Sequence, residues 1–381
     1  HNAQHTTHSA QHNAQHTKNT RTRTHTKRPR QSTQREKNKL PATNTTRATR
    51  NTMADHNSTT VTVGESKESL LVALTKLYKD DRLKQARKAL TNLERAFATE
   101  EADSPTLTAR TQESLNSFLS QHDALPMVAA LRREAAAVEK LLADIEDDSR
   151  WTNVKESGGG VRTSYHNEKD TPVHTLKVEG ELPVSMSDLL VVIAEIDLYV
   201  NWIPFLADAK VLVEITNYRK SVYCRAGLPW PMSDRDMFLY GFGADLLEED
   251  KVVIVVRSVN SKADEPTSTT AAADSDEDDS SNLISPEDLA KIMTVVPKSP
   301  GGAMRMDCHF AGFVMESLSE TRTRLTVLIN ADPMMSAIPY WLLNYVMKQF
   351  GHLIFARLEG LATGIKGSVF EERIQARPAL Y

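Results

Sequence analysis

Twelve histidines, two cysteines and fifty acidic residues give this chain of 381 residues the raw material for hydrolytic, metal or thiol chemistry. Their spacing supports none of these. The sequence contains no Gly-x-Ser-x-Gly elbow, no His-Glu-x-x-His zinc pair and no glycine-rich phosphate loop opening a helix. Gly158-Gly159-Gly160 stands before a strand-like run and reads as a hairpin turn. His166, His174 and His309 lie in strand-like runs without the paired ligands a metal needs, so they read as cavity-facing or surface residues. Cys224 and Cys308 each sit in an apolar run, which is cytosolic usage and leaves no disulfide framework. The expectation is a protein without cofactor or metal that catalyses no reaction.

The elements that must position any site begin after a basic tail. Residues 1–52 hold eleven Lys/Arg, one acid (Glu36) and no aromatic residue, Val or Ile, so they cannot offset the entropy of ordering. Residues 1–65 are expected to be disordered, and residues 1–52 to be leader rather than native sequence. The tail contributes +10 to a chain of −4, leaving −14 for residues 53–381, which argues against nucleic acid as a partner and against standing adsorption to anionic membranes. No apolar run approaches a bilayer span, so a cytoplasmic location with peripheral, transient membrane contact is expected.

Residues 66–150 are helical by period: Leu70, Leu71, Leu74 and Leu77, then Leu83, Ala86, Leu90 and Leu93, then Leu115 and Leu119, then Val128, Leu131, Ala135, Val138 and Leu141. The pattern suggests two antiparallel helix pairs. Strands follow over 151–156, 161–167 and 173–182. In the last of these His174, Leu176, Val178 and Gly180 alternate with Thr175, Lys177 and Glu179 as in a half-buried sheet. Ser185 or Ser187 caps a helix with Asp188 in its first turn. Strands return over 210–216, 220–227, 236–247 and 251–259. An acidic insertion (261–285) precedes two more strands over 304–318 and 322–329. A terminal helix from Pro339 to Leu361 is apolar over more than one stripe, so it must press on the sheet along its length. Residues 366–381 read as a tail.

Three segments resemble the START superfamily of lipid-transfer domains, nearest in motif to its phosphatidylcholine-transfer-like members. They are Tyr199-Val200-Asn201-Trp202-Ile203-Pro204-Phe205, then Arg225-Ala226-Gly227-Leu228-Pro229-Trp230-Pro231-Met232-Ser233-Asp234-Arg235-Asp236, then Asn330-Ala331-Asp332-Pro333 with Ile338-Pro339-Tyr340-Trp341-Leu342-Leu343-Asn344. They fall in the family's order within residues 151–365. The resemblance implies an α+β helix-grip fold, a curved antiparallel sheet around a long C-terminal helix, preceded here by an α-helical region. It also implies an enclosed apolar tunnel for one lipid, a phospholipid before a sterol or ceramide, which the protein would carry between membranes.

By position, Arg235 matches an arginine that meets lipid phosphate in the family, a role suited to its planar fork. Its other reading is an ion pair with Asp234, Asp236 or another acid. Lipid contacts are also expected of Trp202, Tyr223, Trp230, Phe238, Trp341, Tyr345 and Phe350. Two alternatives stay open: a lipid-sensing adaptor that docks a protein through residues 66–150, and a helix-grip cyclase or hydrolase.

Overall fold

The computed structural model describes residues 66–98, 109–151, 153–156, 158–167, 171–259, 283–335, 338–378 and 380. The basic tail and nearly all of the acidic insertion lie outside the described residues.

Four helices come first: α1 (Lys67–Lys79), α2 (Leu83–Ala98), α3 (Ala109–Gln121) and α4 (Leu125–Glu146). Ser66 caps α1 by accepting from the Ser69 amide at 3.2 Å. The strands are β1 (Asn153–Glu156), β2 (Arg162–Asn167), β3 (His174–Leu182), β4 (Leu206–Glu214), β5 (Arg219–Ala226), β6 (Arg235–Leu246), β7 (Lys251–Ser258), β8 (Met304–Arg305), β9 (Asp307–Ser319) and β10 (Arg322–Asp332). They form one curved, unclosed sheet in the order β1-β2-β3-β10-β9-β7-β6-β5-β4, antiparallel throughout, with β8 added in parallel beside β6. Between β3 and β4 lies α5 (Met186–Ala194). Ser185 caps it, accepting from the Asp188 amide and donating to the Asp188 carboxylate at 2.7 Å. The terminal helix runs through α7 (Tyr340–Tyr345), a π-helical turn (Val346–Phe350) and α8 (Gly351–Thr363). This is the helix-grip architecture.

The two faces of the sheet are filled differently. One face carries α1 to α4, whose Leu74, Leu90, Leu93, Leu115, Leu131 and Leu141 are fully buried with Phe242, Val253 and Val255 of the sheet. Each such side chain removed from water is worth about 1.5–3 kcal/mol. Gly312 permits the approach of α4, since a Cβ there would lie 2.3 Å from Leu141. The other, concave face holds α5 and the terminal helix.

Four sequence expectations need correction. Residues 66–150 do not stand apart: they share a core with β6, β7, β9 and β10, and their apolar stripes are spent on it. Strand β3 is not half-buried along its whole length, because the end of α4 and the segment after it cover part of its second face, where Lys177 is buried with Nζ 2.9 Å from both the Ile145 carbonyl and Asp148. The end of the expected insertion is ordered: Leu283 and Ile284 are buried, and Ser285 caps α6 (Pro286–Met293), which Ile292 anchors. Residues 369–376 form α9 (Val369–Ala376), which is no tail: Phe370 is buried, and Arg373 and Arg377 pair with the buried Glu195 that follows α5.

Candidate functional site

The concave face divides in two. Under α8 it is packed with large side chains: Leu182, Leu189, Ile193, Trp202, Met315 and Leu325 meet Phe355 and Leu358. The helix can lie this close because of two glycines, Gly351 on the helix and Gly180 on β3. A Cβ on Gly351 would come within 2.8 Å of Val178 and 2.9 Å of Thr163, and one on Gly180 within 2.9 Å of Phe355. Toward β4 and β5 the buried residues are small, Ala209, Val222, Cys224, Cys308, Ala311 and Ala331, with Leu239 the largest. That cluster takes no residue from the terminal helix. The helix segment on this side is held loosely: Leu342 to Val346 and Phe350 are half-buried, and of the stretch before Gly351 with described side chains only Met347 is buried.

At the open end of this half a loop tip and the helix start meet. Trp230 is 93% exposed and Trp341 48% exposed, and with Pro229, Pro231, Met232 and Pro339 they line an open cleft of about 460 Å³. The Trp230–Pro231 bond is cis. The base of the loop is firmly held. Arg225 pairs with Asp234 at 2.6 Å, the Leu228 amide donates to Asp234 at 3.4 Å, and the Gly227 amide donates to the Phe205 carbonyl at 2.8 Å.

Arg235 is buried and ties the loop to the lead into the terminal helix. Its Nε donates to the Pro333 carbonyl at 2.7 Å and Nη2 to that of Met334 at 3.3 Å, while Nη1 donates to the Ser233 and Asp234 carbonyls at 2.6 and 3.3 Å. Four of its five N–H groups are thus engaged. Burial holds its pKa below the ordinary arginine value. The ion-pair reading fails among the described residues, since Asp234 takes Arg225 and Asp236 takes Arg305. Burial opposes ionisation of Asp236, yet Arg305, Ser299 and Tyr223 together hold its carboxyl below the usual range.

The other expected contacts fall into three groups. Trp230 and Trp341 come together at the cleft, whereas Tyr345 and Phe350 meet edge-on at 6.4 Å, with Phe205 edge-on to Tyr345 at 5.4 Å. Trp202 is core of the filled half, edge-on to Tyr199 and held to α8 by Arg357, which donates to its carbonyl at 3.1 Å. Tyr223 and Phe238 face away from the concave side. They are register partners, and Phe238 packs with α1 to α4 while the Tyr223 hydroxyl donates to Asp236 at 3.3 Å. Strand β6 alternates, and its larger apolar residues Phe238, Tyr240 and Phe242 serve the helical layer.

Sequence reasoning missed Phe205, whose backbone sits at φ 64°, and Tyr165, which pairs with His174 at 2.7 Å. It had a signal for His174, the alternation along β3, but none for its partner across the hairpin.

No family model and no curated relative matches the chain. Solved structures do resemble it. Human STARD10 is 16% identical over 64% of this chain and 83% of its own, with a TM-score of 0.46. Human StAR-related lipid transfer protein 5 is 16% identical over 62% and 98%, also at 0.46. A STAR-related lipid transfer protein from Xanthomonas axonopodis is 16% identical over 56% and 99%, at 0.40.

Proposed function

We propose that the chain binds a single lipid between the small-residue half of its concave face and the loosely seated half of the terminal helix, and carries it between membranes without chemical change. The observation that carries this is the difference across the concave face: large buried side chains meet α8, whereas the buried residues toward β4 and β5 are mostly small and form a cluster that takes none from the terminal helix. A mostly apolar face with few polar groups would suit an apolar ligand. The exposed Trp230 and Trp341 supply an apolar edge for transient contact with a bilayer, where tryptophan is favoured; among the described residues no helix is long and apolar enough to cross one.

Turnover is disfavoured by the thiols on this face: burial pushes both Cys224 and Cys308 up to about 12, so they behave as small hydrophobes. The adaptor reading loses support because α1 to α4 already bury their stripes on the sheet. A phospholipid bound through Arg235 has one N–H of the guanidinium left to it in this conformation. The test is native mass spectrometry of the purified chain with vesicle-to-vesicle transfer of labelled lipid. A one-to-one lipid adduct and protein-dependent transfer are expected. A chain that stays lipid-free and moves none overturns the reading.

A further inference from the structure

We propose that residues 293–304 form a second membrane-docking element beside the Trp230 loop, and that the surface they fit is an anionic bilayer; this deepens the transfer reading above. Three segments meet at the mouth end of the sheet. Arg235 ties the Trp230 loop to the lead into the terminal helix by donating to the Ser233, Pro333 and Met334 carbonyls, and the helix start lines the same cleft as the loop through Pro339 and Trp341. Residues 293–304 join them from the end of α6. Met304 and Arg305 run parallel to Arg235 and Asp236, and the Met304 amide donates to the Asp234 carbonyl at 2.9 Å. Arg305 holds the segment in place: it pairs with Asp236 at 2.8 Å and donates from Nη2 to the Pro297 carbonyl at 2.9 Å and to the Ser299 hydroxyl at 3.2 Å.

This end differs in composition from the rest of the chain. The stretches 226–233, 293–304 and 333–350 hold 38 residues and not one Asp or Glu, where the average of 50 acids in 381 residues would give about five. They hold six of the twelve methionines and two of the four tryptophans. Their only charges are Lys298 and Lys348, both exposed and neither in an ion pair among the described residues. The acids at their borders are taken up, Asp234 by Arg225 and Asp236 by Arg305. On the new element Val295, Val296 and Met304 are exposed, and a Cβ on Gly301 or Gly302 would meet nothing, so its turn projects into solvent. Apolar side chains flanking a lysine suit the interface of a bilayer, where the carbon atoms enter among acyl chains and the ammonium stays at the head groups. Residues 53–381 carry −14, so anionic head groups repel the body and attract this end, which orients the mouth toward the membrane.

The experiment sediments the full chain with vesicles of phosphatidylcholine alone and of phosphatidylcholine mixed with phosphatidylserine. The wild type is expected to bind the mixed vesicles more tightly, with a preference that fades as salt is raised. Lys298→Gln is expected to weaken binding to the mixed vesicles about fivefold, the worth of one lysine near an anionic surface, and to leave binding to phosphatidylcholine unchanged. Val296→Asp is expected to weaken binding to both about tenfold, the worth of burying one valine. Leu247→Asp, on an exposed residue beyond the opposite end of β6, makes the same charge change and is expected to alter neither. Melting temperatures identify a variant that fails to fold; if that is Val296→Asp, Lys298→Gln alone decides. Folded variants that bind both vesicles like the wild type overturn the docking element, and so does a wild type that binds neither vesicle. The lipid-binding reading survives both results if a lipid copurifies with the chain, and a chain that carries no lipid and transfers none overturns that reading whatever its vesicle binding.

Discussion

The two faces of the sheet are sealed by opposite means. On the outer face a buried charge network joins three elements: Arg219 of β5 donates from Nε and Nη2 to Glu134 of α4 at 3.0 and 2.7 Å, pairs with Asp81 after α1, and lies 4.2 Å from the Tyr78 ring centre. Tyr240 donates to the same Glu134 at 3.2 Å, and Thr216 donates to Asp81 at 2.7 Å. Such a network fixes one arrangement of helices on sheet, because sliding any member orphans a charge. On the concave face the terminal helix is held at one end by steric fit around Gly351, while at the other Tyr345 and Phe350 are only half-buried. A face locked by charge can serve as a fixed floor, while a face fitted along only half its length can open. On the proposed transfer reading, the outer helices are the rigid support against which the terminal helix would move.

Breaking the locked side gives the largest effect. Glu134→Ala leaves Arg219 buried beside a single carboxylate, and loss of about 3–5 kcal/mol is expected by urea denaturation. Double replacement of Glu134 and Arg219 by apolar residues of similar volume is expected to recover part of it. A loss under about 1 kcal/mol for Glu134→Ala would show that the network does not lock this face.

The fitted end of the helix comes next. Gly351→Ala pushes a methyl into Val178 and Thr163, and about 1–3 kcal/mol of destabilisation is expected. The same substitution at Gly360, where a Cβ meets nothing, is the control and is expected to be neutral or slightly stabilising. Equal effects at the two sites would contradict the close fit.

Arg235 sharpens the comparison at the mouth. Arg235→Leu leaves the Pro333 and Met334 carbonyls without their donor and is expected to cost about 1–3 kcal/mol, lowering the melting temperature. An unchanged melting temperature together with lost phospholipid binding would instead assign the guanidinium to a head group.

The frame of the fold was legible because its signals are local. The periods of α1 to α4, the alternation of β3, the Ser185 cap and the breadth of the terminal helix all depend on neighbours in sequence, and strand ends agree with the structure to within a few residues. The grouping of the candidate residues was legible in part. Trp230, Trp341, Tyr345 and Phe350 share the region of the mouth and the loose helix half, but Tyr223 and Phe238 could not be assigned a face. Period two says that residues alternate, not which side the ligand takes, and a sheet covered on both faces carries large apolar residues on each. The Tyr165–His174 contact and the Pro333 and Met334 carbonyls on Arg235 depend on pairing between segments, which no local pattern records. Helix α9 was missed because it is only eight residues long and its hold on Glu195 is electrostatic.

The smallest effect on stability and the clearest on function is expected at the cleft. Trp230 is almost wholly exposed, so Trp230→Ala should change stability by no more than about 0.5 kcal/mol. If the tip enters a bilayer, the same substitution slows vesicle-to-vesicle transfer without releasing lipid already bound, because the lost contact is with the membrane and not with the ligand. Pinning the mouth separates entry from retention. Met232→Cys with Trp341→Cys places thiols on opposite walls of the cleft, where a bis-methanethiosulfonate reagent can bridge them. Native Cys224 and Cys308 are buried with thiols near 12 and should not compete. Bridging is expected to stop exchange and reduction to restore it, since the helix start could no longer swing from the loop while α8 stays seated. Full exchange in the bridged protein would place the lipid's route elsewhere, along the exposed edge strand β4, and the loose half of the helix would then be a wall of the space without being its door.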